Sequence, residues 1–195
     1  YRPLHIGRIV IVPKWETYEP REGEIIIRMD PGMAFGTGSH ETTRLVIGLL
    51  EDMVTPGCHV LDVGTGSGIL AVCASKLGAA DCRAYDIDPV AVEVAAENAA
   101  ENGCGNIETG RSDLLAGVAP GKYDVVCANI VADIIIRMAP DIGKFMHDES
   151  TLLASGIINE RASDVIDALE ANGFYIARAL EDNGWTALAV KKLIG

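Results

Sequence analysis

Apolar residues recur along this chain at two different spacings, and the two spacings alternate in a regular way. Short runs in which nearly every residue is apolar are typical of buried parallel strands, and they separate longer segments with apolar residues at helical spacing. The predicted helices are 42–53, 68–78, 89–103, 131–146 and 160–172, and the predicted strands among them are 58–63, 82–87, 106–110, 123–128 and 151–155. Strands that alternate with helices predict an α/β fold with a parallel sheet and helices on both faces.

The end of the chain departs from this alternation. Two strand-like runs at 175–181 and 185–191 are joined by Asp182-Asn-Gly184, which is a hairpin signal. These two strands cannot be parallel neighbours. The predicted sheet therefore has seven strands, is mostly parallel, and ends in a C-terminal antiparallel hairpin.

The start of the chain also differs from the body. Strand-like runs at 8–12 and 24–29 are separated by a turn region rich in proline, glycine and charge. Residues 1–30 are therefore expected to form a leading segment with short strands. Residues 31–195 are expected to form one domain, because no repeat, low-complexity tract or linker follows residue 30.

A glycine-rich turn lies between the first predicted sheet strand and the helix after it, within the run 60–70. Gly64, Gly66 and Gly68 sit in this turn, where glycine tolerates positive φ and lets a ligand approach bare backbone. A dinucleotide fingerprint would place the third glycine one residue later. Asp62 would repel a pyrophosphate but could attract the cationic end of S-adenosylmethionine. The pattern favours S-adenosylmethionine, with a nicotinamide or flavin cofactor, or a turn without ligand, as alternatives.

A second carboxylate stands at the end of the next predicted strand. Asp86 follows the glycine turn by about 20 residues, the separation at which an acidic side chain binds ribose hydroxyls. This spacing supports an adenosyl ribose but does not separate the two cofactors. Asp88 has a simpler interpretation as the N-cap of the helix that begins at Pro89.

The loop at 29–43 is too polar for the core and is expected to form a lid. At its end Thr42 and Thr43 open a helix, whose backbone N–H groups and hydroxyls could bind the carboxylate of a methionyl group. Ordinary helix capping is the alternative for both threonines. Phe35 is a candidate to cover the adenosyl or methionyl part of the ligand.

Composition narrows the remaining possibilities. Hydrophobic residues make up 49% of the 195, but no apolar run approaches transmembrane length and the first residues are no signal peptide, so a cytoplasmic location without membrane contact is expected. The five cysteines form no Cys-x-x-Cys pair and are interpreted as reduced, buried thiols. The four scattered histidines predict no metal site.

The charge balance bears on the partner. Lysine and arginine number 16 against 28 acidic residues, for a net charge of -12, and phosphate neutralisation needs a basic stripe. A nucleic-acid substrate is therefore not expected. A basic protein partner suits this charge better.

Several motifs together resemble one known family. The loop from Asp30 to Thr43 is similar to the signature loop of the ribosomal protein L11 methyltransferase family, and the run from Asp62 to Ala71 is similar to that family's cofactor turn. The likeness covers nearly all of the chain and continues through Asp86-Ile-Asp-Pro89, Ala128-Asn-Ile-Val-Ala132, Ser155-Gly-Ile157 and Gly184-Trp-Thr-Ala-Leu188.

The resemblance implies a fold and a reaction. The fold is the Rossmann-like class I methyltransferase fold, and the reaction is methylation of lysine side chains or an N-terminal amine of ribosomal protein L11, with S-adenosylmethionine as cofactor and S-adenosylhomocysteine as product. Thr43, Gly64, Asp86 and Asn129 are the cofactor positions that the resemblance implies. The family also carries an N-terminal recognition domain, which we expect to be absent here because residues 1–22 resemble the start of the catalytic part.

Asn129 is the candidate catalytic residue. A neutral amine must attack the sulfonium methyl in line, so positioning and exclusion of water are the main demands on the protein. Asn129 follows the fourth sheet strand, where its amide oxygen could accept an amine hydrogen. The alternative is an asparagine that caps the helix beginning near Val131. A small-molecule methyltransferase and a non-catalytic cofactor-binding module remain the alternative functions.

Overall fold

The computed structural model describes residues 2–35 and 40–194, and a seven-stranded sheet forms its centre. Its strands are β4 (His59–Val63), β5 (Asp81–Asp86), β6 (Ile107–Arg111), β7 (Tyr123–Asn129), β8 (Met146–Ile158), β9 (Phe174–Asp182) and β10 (Trp185–Lys192). The strand order in the sheet is β6-β5-β4-β7-β8-β10-β9. Neighbours from β6 to β8 are parallel, and β10 is antiparallel to both β8 and β9. The predicted sheet with its closing hairpin is confirmed.

Helices cover both faces of this sheet. They are α2 (His40–Met53), α3 (Ile69–Lys76), α4 (Pro89–Glu101), α5 (Ala132–Met138) and α6 (Ala162–Ala171). Successive strand residues point to opposite faces. Val60, Val125 and Cys127 accordingly pack into the cluster with α2 and α3, whereas Leu61 and Val126 pack into the cluster with α5 and α6.

The leading segment forms a sheet of its own. It contains β1 (Leu4–Ile6), β2 (Ile9–Val12) and β3 (Ile25–Arg28), with β1 antiparallel and β3 parallel to β2. The runs at 8–12 and 24–29 predicted two of these strands and missed β1. The buried side chains of Ile9, Ile11 and Ile27 belong to the same core cluster as α2 and α3.

The segment 131–146 is where the predicted elements differ most from the structure. The helix α5 ends at Met138, a 3-10 turn covers Ile142–Phe145, and β8 already begins at Met146. Pro140 explains the early end, because proline has no N–H for a helix and disfavours helical backbone in the residue before it. The predicted strand 151–155 is only the central part of β8.

The polar loop at 29–43 also contains more structure than predicted. A short helix, α1 (Pro31–Phe35), follows β3.

Within the described ranges, no helix is both long and apolar enough to cross a bilayer. All five cysteines are free and buried.

Candidate functional site

A cavity of about 300 Å³ lies at the carboxyl ends of β4 and β7. These two strands are neighbours at the centre of the sheet, where chain order reverses, and in α/β sheets this is the position at which ligands bind. One wall of the cavity is the glycine turn from Gly64 to Ser67, and Met33 and Ala34 of α1 approach it. The opposite wall comes from residues 129–133, Gly156, Ile158, Arg161 and Trp185.

The glycine turn has the backbone that its sequence predicts. Gly64 has a φ of 72° and Gly66 a φ of 56°, both in the left-handed region that glycine adopts without strain. A Cβ at Gly64 would lie 2.6 Å from Cγ2 of Ile130, so the turn and the end of β7 are in close contact. A Cβ at Gly66 would meet nothing within 4 Å, which leaves bare backbone facing open space. Gly68 has left-handed backbone too, but it caps α3 and does not line the cavity.

Asp62 lies beneath this turn and not on its surface. Its side chain is buried, lines the cavity, and accepts a hydrogen bond of 2.7 Å from the hydroxyl of Thr65. Burial raises the pKa of the Asp62 carboxyl to about 7, against the opposing hydrogen bond from Thr65 and with a smaller contribution from the charge of Asp86. A carboxyl with this pKa is only partly ionised at neutral pH, so it attracts a cation less strongly than the sequence alone indicates.

Asp86 connects β5 to the glycine turn. Its Oδ2 accepts a hydrogen bond of 2.9 Å from the backbone N–H of Gly66, and its Oδ1 accepts one of 3.0 Å from the N–H of Asp88. Each carboxylate oxygen has a further lone pair with which it can accept a ribose hydroxyl. Asp86 is not among the residues that line the cavity itself. Asp88 is the N-cap of α4, since its Oδ1 accepts from the N–H of Val90 at 2.9 Å, and that prediction is confirmed.

Asn129 is the last residue of β7 and lines the cavity. Its Oδ1 accepts a hydrogen bond of 3.0 Å from the hydroxyl of Ser155 on β8. The N-cap of α5 is Val131, and no side chain caps that helix. The interpretation of Asn129 as a helix cap is therefore wrong.

Two predicted positions of the lid lie away from the cavity or outside the described residues. Thr43 is in the first turn of α2, where it is 1% exposed, and it does not line the cavity. The backbone of Phe35 ends α1, but its side chain, like residues 36–39, lies outside the described part. The predicted covering role of Phe35 stays a prediction.

An ion-pair cluster at the cavity rim was missed by the sequence reasoning. Arg161 donates from Nη2 to Asp133 at 2.7 Å and from Nε to Asp164 at 2.9 Å. The hydrogen bond from Arg161 holds the pKa of the Asp133 carboxyl below its ordinary value. Only the pair Arg161 and Asp164 has helical spacing, so no sequence signal links Asp133 to them.

A buried asparagine on α4 supports the turn from behind. Asn98 donates from Nδ2 to the carbonyl oxygen of Ser67 at 2.8 Å. Its Oδ1 is buried and accepts no hydrogen bond from the described residues. The sequence indicates α4 but gives no signal for this contact. Across residues 2–35 and 40–194, histidine, cysteine, aspartate and glutamate form no group of three that could hold a metal ion.

Comparisons with known proteins agree with this geometry. The family model described as ribosomal protein L11 methyltransferase (PrmA) matches residues 1–193. A curated ribosomal protein L11 methyltransferase of Caldanaerobacter subterraneus subsp. tengcongensis is 50% identical over 193 residues, which is 98% of this chain and 62% of that protein. The corresponding protein of Symbiobacterium thermophilum is 49% identical over 193 residues, 98% of this chain and 63% of that protein. The chain thus spans less than two thirds of the length of these relatives.

Solved structures show the same likeness. A crystal structure of a ribosomal protein L11 methylase from Lactobacillus delbrueckii subsp. bulgaricus has a TM-score of 0.92 and 37% identity, covering 100% of this chain and 99% of that one. A precorrin-6y C5,15-methyltransferase from Geobacter metallireducens has a TM-score of 0.68 and 14% identity, covering 82% of this chain and 94% of that one, and shows the fold alone. With a fold shared by methyltransferases, a glycine turn beside Asn129, and a family model that matches 193 residues, the chain belongs to the ribosomal protein L11 methyltransferase family.

Proposed function

We propose that this chain transfers methyl groups from S-adenosylmethionine to amino groups of ribosomal protein L11, either lysine side chains or the N-terminal amine. The observation that carries the proposal is that the glycine turn and Asn129 line the same cavity. A cofactor at the turn and an amine at Asn129 would share this cavity. Membership of the family supports the choice of acceptor.

The residues around the turn fit the cofactor. Gly66 leaves open space over bare backbone, and Asp86 is held by two backbone N–H groups with lone pairs to spare for ribose hydroxyls. We assign the ribose to Asp86 and the remainder of the cofactor to Gly64, Gly66 and neighbouring turn residues. When bound, S-adenosylmethionine supplies a methyl group that is activated by its sulfonium and leaves S-adenosylhomocysteine as product.

The protein's own part in the transfer is to hold a neutral amine in line and to exclude water. An ammonium has no lone pair for attack, and burial of a lysine amine lowers its pKa because burial disfavours the charged form. The apolar residues Ile130, Val131 and Ile158 line the wall of the cavity opposite the glycine turn, where we place the acceptor amine. Asn129 Oδ1 and the carbonyl oxygen of Ile130 can each accept one amine hydrogen, which directs the lone pair of the nitrogen away from both.

The charge of the chain supports a basic protein as the acceptor. The net charge is -12, and the ion-pair cluster at the rim of the cavity keeps one net negative charge, because Arg161 is paired with two carboxylates, those of Asp133 and Asp164. An acidic surface attracts a cationic lysine side chain and repels a phosphate backbone. We propose no direct contact with nucleic acid for this reason.

Two measurements in sequence test the proposal. Calorimetric titrations with S-adenosylmethionine, S-adenosylhomocysteine and NAD should show binding of the first two alone. Transfer of a labelled methyl group to purified ribosomal protein L11 should then be detected, and L11 with acetylated amines is the matched control substrate. Binding of NAD alone would overturn the cofactor assignment, and equal labelling of acetylated L11 would overturn the amine acceptor.

A further inference from the structure

We propose that Ser155 is a positioning residue, which orients the amide of Asn129 toward the acceptor amine through a partly buried hydrogen bond between two neighbouring strands. The inference rests on the function proposed above, because it concerns how the same site holds its acceptor. Ser155 itself is not among the residues that line the cavity, so it acts through Asn129.

The strand pairing places the two residues side by side. The strands β7 and β8 run parallel, with Asn129 opposite Ser155. The hydroxyl of Ser155 donates to Asn129 Oδ1 at 3.0 Å, and the backbone N–H of Ile130 donates to the carbonyl oxygen of Ser155 at 3.1 Å. One residue of β8 thus holds both the side chain of Asn129 and the peptide that follows it.

Burial makes this hydrogen bond an effective constraint. Ser155 is 0% exposed, so water does not compete for its hydroxyl, and a hydrogen bond is electrostatically stronger in such surroundings. Oδ1 of Asn129 faces Ser155 and accepts its hydroxyl proton. If the amide turned over, Nδ2 would donate to the hydroxyl oxygen instead, and the buried hydroxyl proton would lose this acceptor, which costs free energy. Oδ1 retains a second lone pair, with which it can accept an amine hydrogen.

Gly156, the next residue of β8, keeps the same oxygen atoms uncovered. Its φ is 76°, and a Cβ built there would lie 2.9 Å from Asn129 Oδ1 and 3.1 Å from the carbonyl oxygen of Ile130. Both oxygens that we assign to the amine therefore face the α-carbon of Gly156. Any side chain at this position would stand against both of them. Ser155 sets the direction of Asn129, and Gly156 leaves the resulting acceptors open.

The chain offers a matched control on the same strand. Ser150 of β8 is also 0% exposed, and its hydroxyl donates to the carbonyl oxygen of Tyr123 at 2.6 Å and accepts from the N–H of His147 at 2.9 Å. It bonds to the first residue of β7, whereas Ser155 bonds to the last. The variants S150A and S155A thus delete the same buried group at opposite ends of one strand pair.

The first test needs no acceptor. In nitrogen-15 labelled protein with S-adenosylhomocysteine added, the side-chain amide signals of Asn129 are assigned by their loss in Asn129→Ala. We expect S155A to shift and broaden these signals, S155T to keep them near their wild-type positions, and S150A to leave them unchanged. Signals that are the same in S155A and wild type would overturn the positioning role.

The second test measures single-turnover methyl transfer to ribosomal protein L11 at saturating cofactor. We expect S155A to slow the transfer about 10- to 100-fold, the loss typical of a misplaced reacting group, with the Kd of S-adenosylmethionine within about twofold of wild type. S155T should restore most of the rate, and S150A should leave it unchanged.

A double mutant separates this inference from a general loss of structure. If Ser155 acts through Asn129, the variant S155A/N129A should be no slower than N129A alone. Equal slowing of both backgrounds, or equal slowing by S150A, would overturn the inference. Failure of the proposed function looks different, since the wild-type chain would then transfer no methyl group at all, while the amide signals would still show whether Ser155 orients Asn129.

Discussion

Thr65 and Asp62 are joined across the glycine turn by a hydrogen bond of 2.7 Å from the threonine hydroxyl to the carboxyl group. Both side chains are buried, with Asp62 at 1% and Thr65 at 5% exposure. Within the described residues, the Thr65 hydroxyl is the group that donates a hydrogen bond to the Asp62 carboxyl. Burial of the carboxyl raises its pKa to about 7, which ties the stability of the turn to pH.

Asp62→Asn should stabilise the protein increasingly as the pH rises. The ordinary pKa of 3.8 applies to the unfolded chain, so between about pH 4 and pH 7 the folded state keeps a proton that the unfolded state has lost. Wild-type stability therefore falls as the pH rises through this window. The loss is on the order of 4 kcal/mol at most and is complete above pH 7. Asparagine does not ionise and can still accept from Thr65, so the variant avoids this loss.

Urea denaturation of both proteins at about pH 4.5, near the lower end of that window, and at about pH 8, above it, measures the effect. The difference in the free energy of unfolding between Asp62→Asn and wild type should grow with pH. A difference that is the same at both values would mean that Asp62 ionises in the folded protein as it does in the unfolded chain.

Asp86→Ala should weaken cofactor binding by roughly 1.5–3 kcal/mol, the range for hydrogen bonds to a charged group. This corresponds to an increase in the Kd of about 10- to 150-fold. The variant removes both the proposed ribose acceptor and the support of the Gly66 N–H. Calorimetric titration with S-adenosylmethionine and S-adenosylhomocysteine gives the Kd values, and unchanged values would remove Asp86 from the ribose role.

Asp88→Ala is the control for that measurement. Asp88 lies two residues away and also accepts from a backbone N–H, that of Val90. Its loss should lower the free energy of unfolding by about 1 kcal/mol, as for other N-caps, and leave the Kd of the cofactor unchanged. If Asp88→Ala weakens binding as much as Asp86→Ala, the effect of the latter comes from the backbone at the end of β5 and not from the ribose.

The sequence predicted those parts of the fold that depend on local patterns. Buried parallel strands are apolar at nearly every position, and hairpin and capping residues mark ends, so the seven strands and the N-cap Asp88 followed from neighbouring residues. The prediction of one helix over 131–146 was wrong because the apolar spacing of the segment was given more weight than the single proline at 140. The strand β1 was not predicted because three residues are too few to show an alternating pattern.

Some features of the candidate site likewise depend on local sequence patterns, and others depend on tertiary contacts. Gly64, Gly66 and Asp86 lie at the glycine turn, as their spacing predicted, because that spacing belongs to one strand-turn-helix unit and the strand after it. Their roles toward a cofactor stay predictions. The hydrogen bond from Ser155 to Asn129 spans 26 residues, and it exists only because the strands β7 and β8 pair in one register. The dipeptide Ser155-Gly156 inside β8 carries no sequence signal for this hydrogen bond. Contacts of this kind require the tertiary structure.

Protonation of Asp124 should make the protein less stable in acid. Partial burial acts to raise the pKa of its carboxyl, but hydrogen bonds from the His59 N–H at 2.7 Å and from His147 Nε2 at 2.7 Å outweigh it and lower the pKa below its ordinary value. A lowered pKa in the folded state stabilises the protein above about pH 4, and the contribution is lost as the pH falls through the folded pKa.

The variant Asp124→Asn isolates this contribution. Because the side chain is 36% exposed and solvent screens its charge, we expect a cost of about 0.5–1 kcal/mol at pH 7 that shrinks toward pH 3. Asp141→Asn is the control, since Asp141 pairs with Lys144 on the surface and shows a side-chain exposure of 55%. Chemical denaturation at the two pH values checks both, and a cost for Asp124→Asn that does not change with pH would contradict the assignment.

Asn102→Ala should loosen the leading sheet from the rest of the protein. Asn102 is the C-cap of α4, and its side chain accepts from the N–H of Arg28 at 2.8 Å and donates to the carbonyl oxygen of Arg28 at 3.0 Å. It is 8% exposed, so the variant leaves two backbone groups at the end of β3 partly buried and unpaired. Each such group costs about 1–3 kcal/mol. We expect the free energy of unfolding to fall by at least about 2 kcal/mol and proteolysis within residues 13–24 to become faster.

Asn172→Ala is a closely matched control for this contact. Asn172 is the C-cap of α6, and its side chain donates to the carbonyl oxygen of Ala168, four residues earlier, as that of Asn102 does to the carbonyl oxygen of Asn98. The two asparagines therefore share the helix-ending bond and differ in the contact with Arg28. Urea denaturation should give a loss for Asn172→Ala that is at most about half of that for Asn102→Ala, because only one hydrogen bond is removed and its site is exposed. Equal losses would mean that Asn102 acts by ending α4, and that the pairing with Arg28 does not hold the leading sheet in place.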